Sequence, residues 1–165
     1  MGLKLVGRMG AVAALAVVSV LAGPAQARAQ WANPSGSAAS IPASALVQPQ
    51  ALNRMLQAKG TAKPLLFQVG SYMLYREAHI PGSQYAGPGA QEAGLSLLRK
   101  TVAKLNHSTP IVIYCGCCPW SHCPNIWPAY QVLHEMGFTH VKALYLADNF
   151  GTDWVNKGYP VERAQ

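Results

Sequence analysis

Short apolar runs alternate with helix-periodic segments along this chain. The clearest run is Ile111–Tyr114, which is uncharged and rich in the β-branched residues that strands favour. Residues 65–69 form a second, mostly apolar run, and Leu95, Leu98 and Val102 recur at helical spacing between the two. Uniformly apolar strands suit a parallel sheet that is covered on both faces. The alternation therefore predicts an α/β fold around a mainly parallel sheet.

Further elements are predicted before and after these runs. They are a helix from Pro49 to the stop at Gly60, a helix from Ile126 to Gly137, a strand over residues 141–146 and a short helix from Asp153 to Gly158. In open parallel sheets, ligands bind beyond the carboxyl ends of the strands. The segment after Tyr114 is therefore the predicted functional site.

Composition excludes two broad classes of protein. Half of the residues are apolar and only 12% are charged, so the chain can bury a core and is not a disordered protein. Lys and Arg outnumber Asp and Glu by 13 to 6, which gives a net charge of +7. The basic residues are scattered and do not interleave with aromatic residues, so we do not expect nucleic-acid binding.

The first 29 residues have the layout of a secretory signal peptide. Lys4 and Arg8 precede an uncharged apolar run over residues 9–21, and residues 25–29 offer small side chains for cleavage. The apolar run is shorter than the roughly 20 residues of a membrane-spanning helix. We expect export to the periplasm or secretion, with no stable membrane insertion after cleavage. An uncleaved membrane anchor is the alternative.

Two segments follow this predicted signal peptide. Residues 30–41 are small and polar without periodicity, which predicts a flexible leader. Residues 42–163 carry all the predicted strands and helices and are expected to form one domain.

All four cysteines lie within nine residues, at Cys115, Cys117, Cys118 and Cys123. So close a group cannot cross-link distant elements, which leaves three local uses. Cys115 could be a nucleophile. The cysteines, with His122, could bind Cu(I) or Zn, although their spacing matches no paired zinc motif. An exported protein could also form a local disulfide between Cys118 and Cys123, which would leave Cys115 free.

The nucleophile hypothesis rests on the place of Cys115 between a strand and a helix. Backbone N–H groups of the loop and the helix N-terminus are expected to converge on its sulfur. Their partial positive charge would lower the thiol pKa and would hold an anionic substrate.

Several segments resemble the rhodanese family. Residues 79–83 (HIPGS) resemble its His-Ile-Pro-Gly-Ala segment, and residues 111–115 (IVIYC) resemble the strand that delivers its active-site cysteine. Residues 133–138 (LHEMGF) resemble the next helix end. Trp154 with residues 158–161 (GYPV) resembles the family's C-terminal ending. The resemblance implies a rhodanese-like, mainly parallel five-stranded sheet with helices on both faces.

The resemblance also implies a sulfurtransferase without a cofactor or metal. Such enzymes take a sulfane sulfur from a small-molecule or protein donor, such as thiosulfate or a persulfide, onto a cysteine as a persulfide. They then pass it to a thiol or cyanide. By position, Cys115 is the catalytic residue. The segment after it becomes the substrate-binding loop, with candidate residues Gly116, Cys117, Cys118, Trp120, Ser121 and His122.

The chain departs from the family pattern in two places. Gln68 to Gly70 stand where the family usually has Asp-x-Arg, so a customary ion pair is missing. The loop after Cys115 is longer than usual and contains no arginine, which predicts weak thiosulfate turnover. The missing arginine also argues against phosphatase activity, since the Cys-x5-Arg loop of the related phosphatases binds phosphate bidentately. Two alternatives use the same fold, namely a copper- or zinc-binding protein and a dithiol redox protein that pairs Cys115 with Cys117 or Cys118.

Overall fold

The computed structural model describes residues 1–2 and 38–164, and its centre is a five-stranded parallel sheet. The strands run in the order β1-β5-β4-β2-β3, and all four neighbouring pairs are parallel. The predicted fold class and strand number are therefore confirmed. The strands are β1 (Leu46–Val47), β2 (Leu65–Gln68), β3 (Gln84–Tyr85), β4 (Ile111–Tyr114) and β5 (Val141–Leu144).

Helices connect these strands, as parallel pairing requires. Within residues 38–164, the five α-helices are α1 (Pro49–Gln57), α2 (Tyr72–Glu77), α3 (Glu92–Val102), α4 (Ile126–Glu135) and α5 (Phe150–Asp153). Short 3₁₀ turns occupy Ala38–Ser40, Ala43–Ala45, Trp120–His122 and Val155–Lys157.

The sheet separates two hydrophobic clusters, because successive strand residues point to opposite faces. Ile111 and Ile113 face the cluster that includes Leu98 of α3 and Leu133 of α4. Val112 and Tyr114 belong to the other cluster, which includes Leu52 of α1 and Trp154. Burying each large apolar side chain contributes about 1.5–3 kcal/mol. The double burial of β4 thus anchors the strand that leads into the cysteine segment.

The structure differs from the predicted boundaries at several places. Ala38 and Ile41 are buried in the core, so packing begins within the last four residues of the predicted leader. The fifth strand ends at Leu144, two residues early, and the last helix begins at Phe150, where the Asn149 side chain accepts the Thr152 N–H.

The predicted signal peptide and residues 30–37 lie outside the described residues. Among residues 1–2 and 38–164, no helix combines the length and hydropathy needed to span a bilayer.

Candidate active site

Cys115 lies immediately beyond the carboxyl end of β4, at the centre of the sheet. The register pairs Gln68 of β2 with Tyr114, so the segments after both strands emerge side by side. Cys115 is buried, with 3% of its surface exposed. A Cβ atom on Gly70 would lie 2.8 Å from Cys115 Sγ, which is closer than real side chains approach. Glycine at position 70 therefore leaves room for the sulfur.

The side-chain amide of Gln68 links the ends of the two strands. Its Nε2 donates to the backbone oxygen of Cys115 at 3.2 Å, and its Oε1 accepts the N–H of Gly70 at 3.2 Å. Gln68 is 2% exposed. Both polar atoms of this buried amide therefore have hydrogen-bond partners. A neutral glutamine thus links the two strand ends at the position where the family commonly has an ion pair.

Gly116 turns the chain back directly after Cys115. Its φ is 78°, in the left-handed region that glycine adopts without strain. A Cβ there would lie 2.5 Å from the Cβ of Phe150, whose N–H donates to the Gly116 oxygen at 3.1 Å. This tight turn brings Cys117 Sγ to 3.1 Å from Cys115 Sγ.

Asn125, at the start of α4, is the side-chain donor to the two sulfurs. Its Nδ2 lies 3.3 Å from Cys115 Sγ and 3.7 Å from Cys117 Sγ. Its Oδ1 accepts the N–H of Ala90 at 3.0 Å, which fixes the orientation of the amide. Sequence reasoning missed Asn125, although a polar residue directly before the apolar face of α4 was an available signal.

The N-terminus of α4 points to Cys123 instead of Cys115. The backbone N–H groups of Asn125 and Ile126 face the Cys123 sulfur. Together with the bond from Cys115 they act to lower the pKa of this thiol, but the bond to Cys117 and burial outweigh them, so that the Cys123 pKa is raised. The described hydrogen bonds give Cys115 Sγ no backbone donor. The expectation that loop amides converge on Cys115 is therefore wrong. The physical reason is that the loop is long enough to place a second cysteine at the helix start.

Cys115 and Cys117 share one hydrogen bond, and this sets their pKa values in opposite directions. The S–H of Cys115 donates to Cys117 Sγ. This bond, a further one to Cys123, and burial raise the pKa of Cys115. Accepting the bond from Cys115 lowers the pKa of Cys117, which is exposed. Of the two thiols, Cys117 therefore has the lower pKa and is the one that ionises more readily.

A cavity of about 330 Å³ opens onto these two thiols. Both Cys115 and Cys117 line it, and Glu77 is the charged residue in its wall. No Lys, Arg or His of the described chain contributes to this wall. The remaining lining residues are Gln68, Leu74, Ala78, Tyr114, Gly116, Asn149, Phe150, Gly151 and Val155.

The predicted substrate-binding loop divides into two parts. Gly116 and Cys117 line the cavity, whereas the other four candidates do not. The 3₁₀ turn Trp120–His122 carries its residues away: Trp120 packs on Tyr145, and His122 bonds Ser121 on the surface. Cys118 likewise faces the His122 carbonyl at 3.6 Å.

All four cysteines are free thiols in the structure. Cys118 Sγ lies 3.1 Å from Cys117 Sγ, and the Cys118–Cys123 disulfide stays a prediction. The sulfur atoms of Cys115, Cys117 and Cys123 lie within 4.8 Å of one another. Such a trio of thiols could hold a soft ion such as Cu(I), without the His122 ligand that the sequence suggested.

Other singled-out residues take structural roles. Buried His79 bonds the Tyr75 carbonyl through Nδ1 at 2.8 Å, which ties its segment to α2. Trp154 is fully buried, and its Nε1 donates to the Pro160 oxygen at 2.9 Å.

Comparison with known proteins gives a family match and a set of similar folds. The family model described as a rhodanese-like domain matches residues 48–147. No curated protein matches the chain.

Among solved structures, similar folds include a rhodanese-like domain from Anabaena sp., with 21% identity and a TM-score of 0.55 over 73% of this chain and 80% of that one. The BH2092 protein from Bacillus halodurans has 23% identity and a TM-score of 0.55, over 71% and 75% of the two chains. A thiosulfate sulfurtransferase from Pseudomonas aeruginosa has 21% identity and a TM-score of 0.53. It is matched over 73% of this chain but only 20% of its own.

Proposed function

Because the chain belongs to the rhodanese-like domain family, we propose that it is a sulfurtransferase with Cys115 as its persulfide carrier. The observation that carries this proposal is the placement of Cys115 Sγ. It lies past the central strand, opens onto the cavity and receives a hydrogen bond from Asn125. The enzyme would take a sulfane sulfur from a donor and pass it to a thiol or cyanide.

The contacts of Cys115 support a defined first step. Its sulfur attacks the outer sulfur of the donor, and its proton moves along the existing bond to the Cys117 thiolate. The donor's sulfur–sulfur bond breaks, and the leaving group keeps the electron pair. Asn125 Nδ2 stabilises the negative charge on sulfur during the attack. The products are an anionic persulfide on Cys115 and a neutral Cys117 thiol.

The charge of the cavity favours one class of donor. Thiosulfate carries two negative charges, and the cavity wall offers it Glu77 and no basic side chain. Leu74 and Val155 add apolar surface at the same wall. A persulfide, on a small thiol or on a protein cysteine, carries less charge and an organic group that suits such a wall. We therefore propose persulfides as the better donors.

The N-terminal sequence supports action outside the cytoplasm. We propose that residues 1–29 direct export and are cleaved between Ala27 and Gln30. N-terminal sequencing of the exported protein checks this, and a mature chain that still begins at Met1 would contradict it.

The variant Cys115→Ser tests the central assignment. A serine hydroxyl has nearly the same shape but cannot form a persulfide, so transfer from a persulfide donor should be lost while the fold survives. Cys118→Ser is the matched control, since Cys118 lies in the same loop but outside the cavity wall; it should retain activity.

Mass spectrometry after donor treatment should place one added sulfur on Cys115 before any acceptor is present. A folded Cys115→Ser protein with wild-type transfer would refute the proposal. Stoichiometric metal in the purified protein, with no sulfur uptake, would favour the metal-binding alternative.

A further inference from the structure

We propose that Cys117 is a resolving thiol, which attacks the persulfide on Cys115 and releases its outer sulfur as hydrogen sulfide. The inference rests on the proposed function and names the source of the two electrons that reduce the carried sulfur. Cys115 and Cys117 would close an intramolecular disulfide. An external dithiol would then reduce this disulfide and restore the enzyme.

The position of Cys117 carries the inference. Its Sγ lies 3.1 Å from Cys115 Sγ, within reach of a direct attack on that sulfur. The left-handed turn at Gly116, locked against Phe150, holds the two side chains together. In an extended strand, residues two apart would stand about 6.6 Å from each other. The turn therefore brings the two sulfur atoms within bonding reach, which an extended strand could not do.

The cavity gives the leaving sulfur an exit. Both Cys115 and Cys117 line the cavity of about 330 Å³, whereas Cys118 and Cys123 do not. A sulfur added to Cys115 can occupy this space and depart through it. Cys123 is buried and approaches the pair from the side of the α4 N-terminus, so it has no comparable access to solvent.

Cys117 is also the partner that an external reductant can reach. It is exposed, whereas Cys115 is buried. In thiol–disulfide exchange, the attacked sulfur must be accessible to the incoming thiolate. A dithiol reductant would therefore attack Cys117 and release Cys115 as a thiolate inside the site.

The step balances in atoms and electrons. The anionic persulfide of Cys115 reacts with the Cys117 thiol. A bond forms between the two Sγ atoms, the bond from Cys115 Sγ to the outer sulfur breaks, and HS⁻ leaves with that bond's electron pair and the Cys117 proton. The outer sulfur is reduced to sulfide and the two cysteine sulfurs are oxidised to a disulfide. The external dithiol later supplies two electrons and two protons.

The test uses single turnovers without an acceptor. Reduced protein, freed of reductant, is mixed with one equivalent of a small-molecule persulfide. Sulfide is measured over time and the protein is analysed by intact and peptide mass spectrometry. The wild type should release one equivalent of sulfide and lose two hydrogens in mass, with Cys115 linked to Cys117. Cys117→Ser should keep the added sulfur on Cys115, with the sulfide burst lost.

Cys118→Ser is the control and should behave as the wild type. A sulfide burst that persists in Cys117→Ser would overturn the assignment. So would wild-type protein that holds the extra sulfur on Cys115 or on Cys117 without release. Cys117→Ser also separates the two proposals. If it gains a sulfur on Cys115, the transferase assignment stands whatever happens to sulfide release. If neither protein takes up sulfur, the proposed function itself fails.

Discussion

Asn125 reaches the sulfur of Cys115 across the gap between α4 and β4. Its Nδ2 donates to Sγ at 3.3 Å, and its Oδ1 is held by the Ala90 N–H at 3.0 Å. A side-chain amide is thus the hydrogen-bond donor to Cys115, where the sequence had predicted backbone amides of the loop. The site depends on one oriented amide group, and this dependence can be measured.

Asn125→Asp should impair transfer while the fold survives. The carboxylate keeps the bond from Ala90 and suits a helix start, but it removes the donor to Cys115 and adds a like charge beside the sulfur. Losing a hydrogen bond to a charged group costs about 1.5–3 kcal/mol, which is roughly a ten- to hundred-fold loss in rate. Steady-state transfer rates measure this loss. The exposed Asn106→Asp serves as control, and equal rates for the two variants would contradict the assigned role.

Gly70→Ala should displace the nucleophile. The new Cβ would lie 2.8 Å from Cys115 Sγ and 2.9 Å from Gln68 Nε2. We expect a clear loss of activity together with about 1–3 kcal/mol of lost stability. Gly60→Ala is the matched control: its φ of 75° strains an alanine, but no atom lies within 4 Å of the new Cβ. It should lower the melting temperature and leave the activity of the folded protein intact.

Limiting iodoacetamide should label Cys117 first. Cys117 is exposed and its pKa is lowered by the bond from Cys115, whereas burial raises the pKa of Cys118. Thiolate at Cys117 persists as the pH falls below the ordinary thiol value of 9.0, so its labelling should slow less on acidification than that of Cys118. Peptide mass spectrometry reads the order. Faster labelling of Cys118 in the folded protein would show that the thiolate lies elsewhere.

Tyr114→Phe should destabilise the fold beneath the site. The buried hydroxyl accepts the N–H of Ile80 at 3.1 Å and lies 2.8 Å from Ser83 Oγ. Its loss leaves two buried polar groups without a partner, at a cost of about 1–3 kcal/mol. Chemical denaturation measures the change. Tyr145→Phe is the control, since it keeps the packing of this ring on Trp120, and it should change stability by less than about 0.5 kcal/mol.

Much of the scaffold was predictable because burial follows sequence periodicity. The uncharged run Ile111–Tyr114 is a buried central strand, and the pattern from Ile126 is a helix. The short strand β3 (Gln84–Tyr85) has no such signal, since two residues show no period and pairing with β2 defines them. The start of the last helix has no clear periodic signal either. Asn149 caps this helix, so it begins at Phe150, before the predicted start at Asp153.

The sequence by itself determined that Cys115 follows a doubly buried strand. Hydrophobic pattern specifies which residues face a core, and the first residue past the central strand must then emerge at the sheet's carboxyl edge. The sequence also showed that the loop contains no arginine, so no arginine of this loop can bind an anionic substrate.

Only the tertiary structure decided which side chains surround the sulfur. Gly116 turns sharply because Phe150, 34 residues later, packs against it, and this turn is what brings Cys117 to Cys115. Asn125 is aimed by a bond from Ala90, which lies before α3. Side-chain directions in an irregular loop have no period of their own. They are set by contacts between residues far apart in the chain, and those contacts exist only once the helices have packed on the sheet.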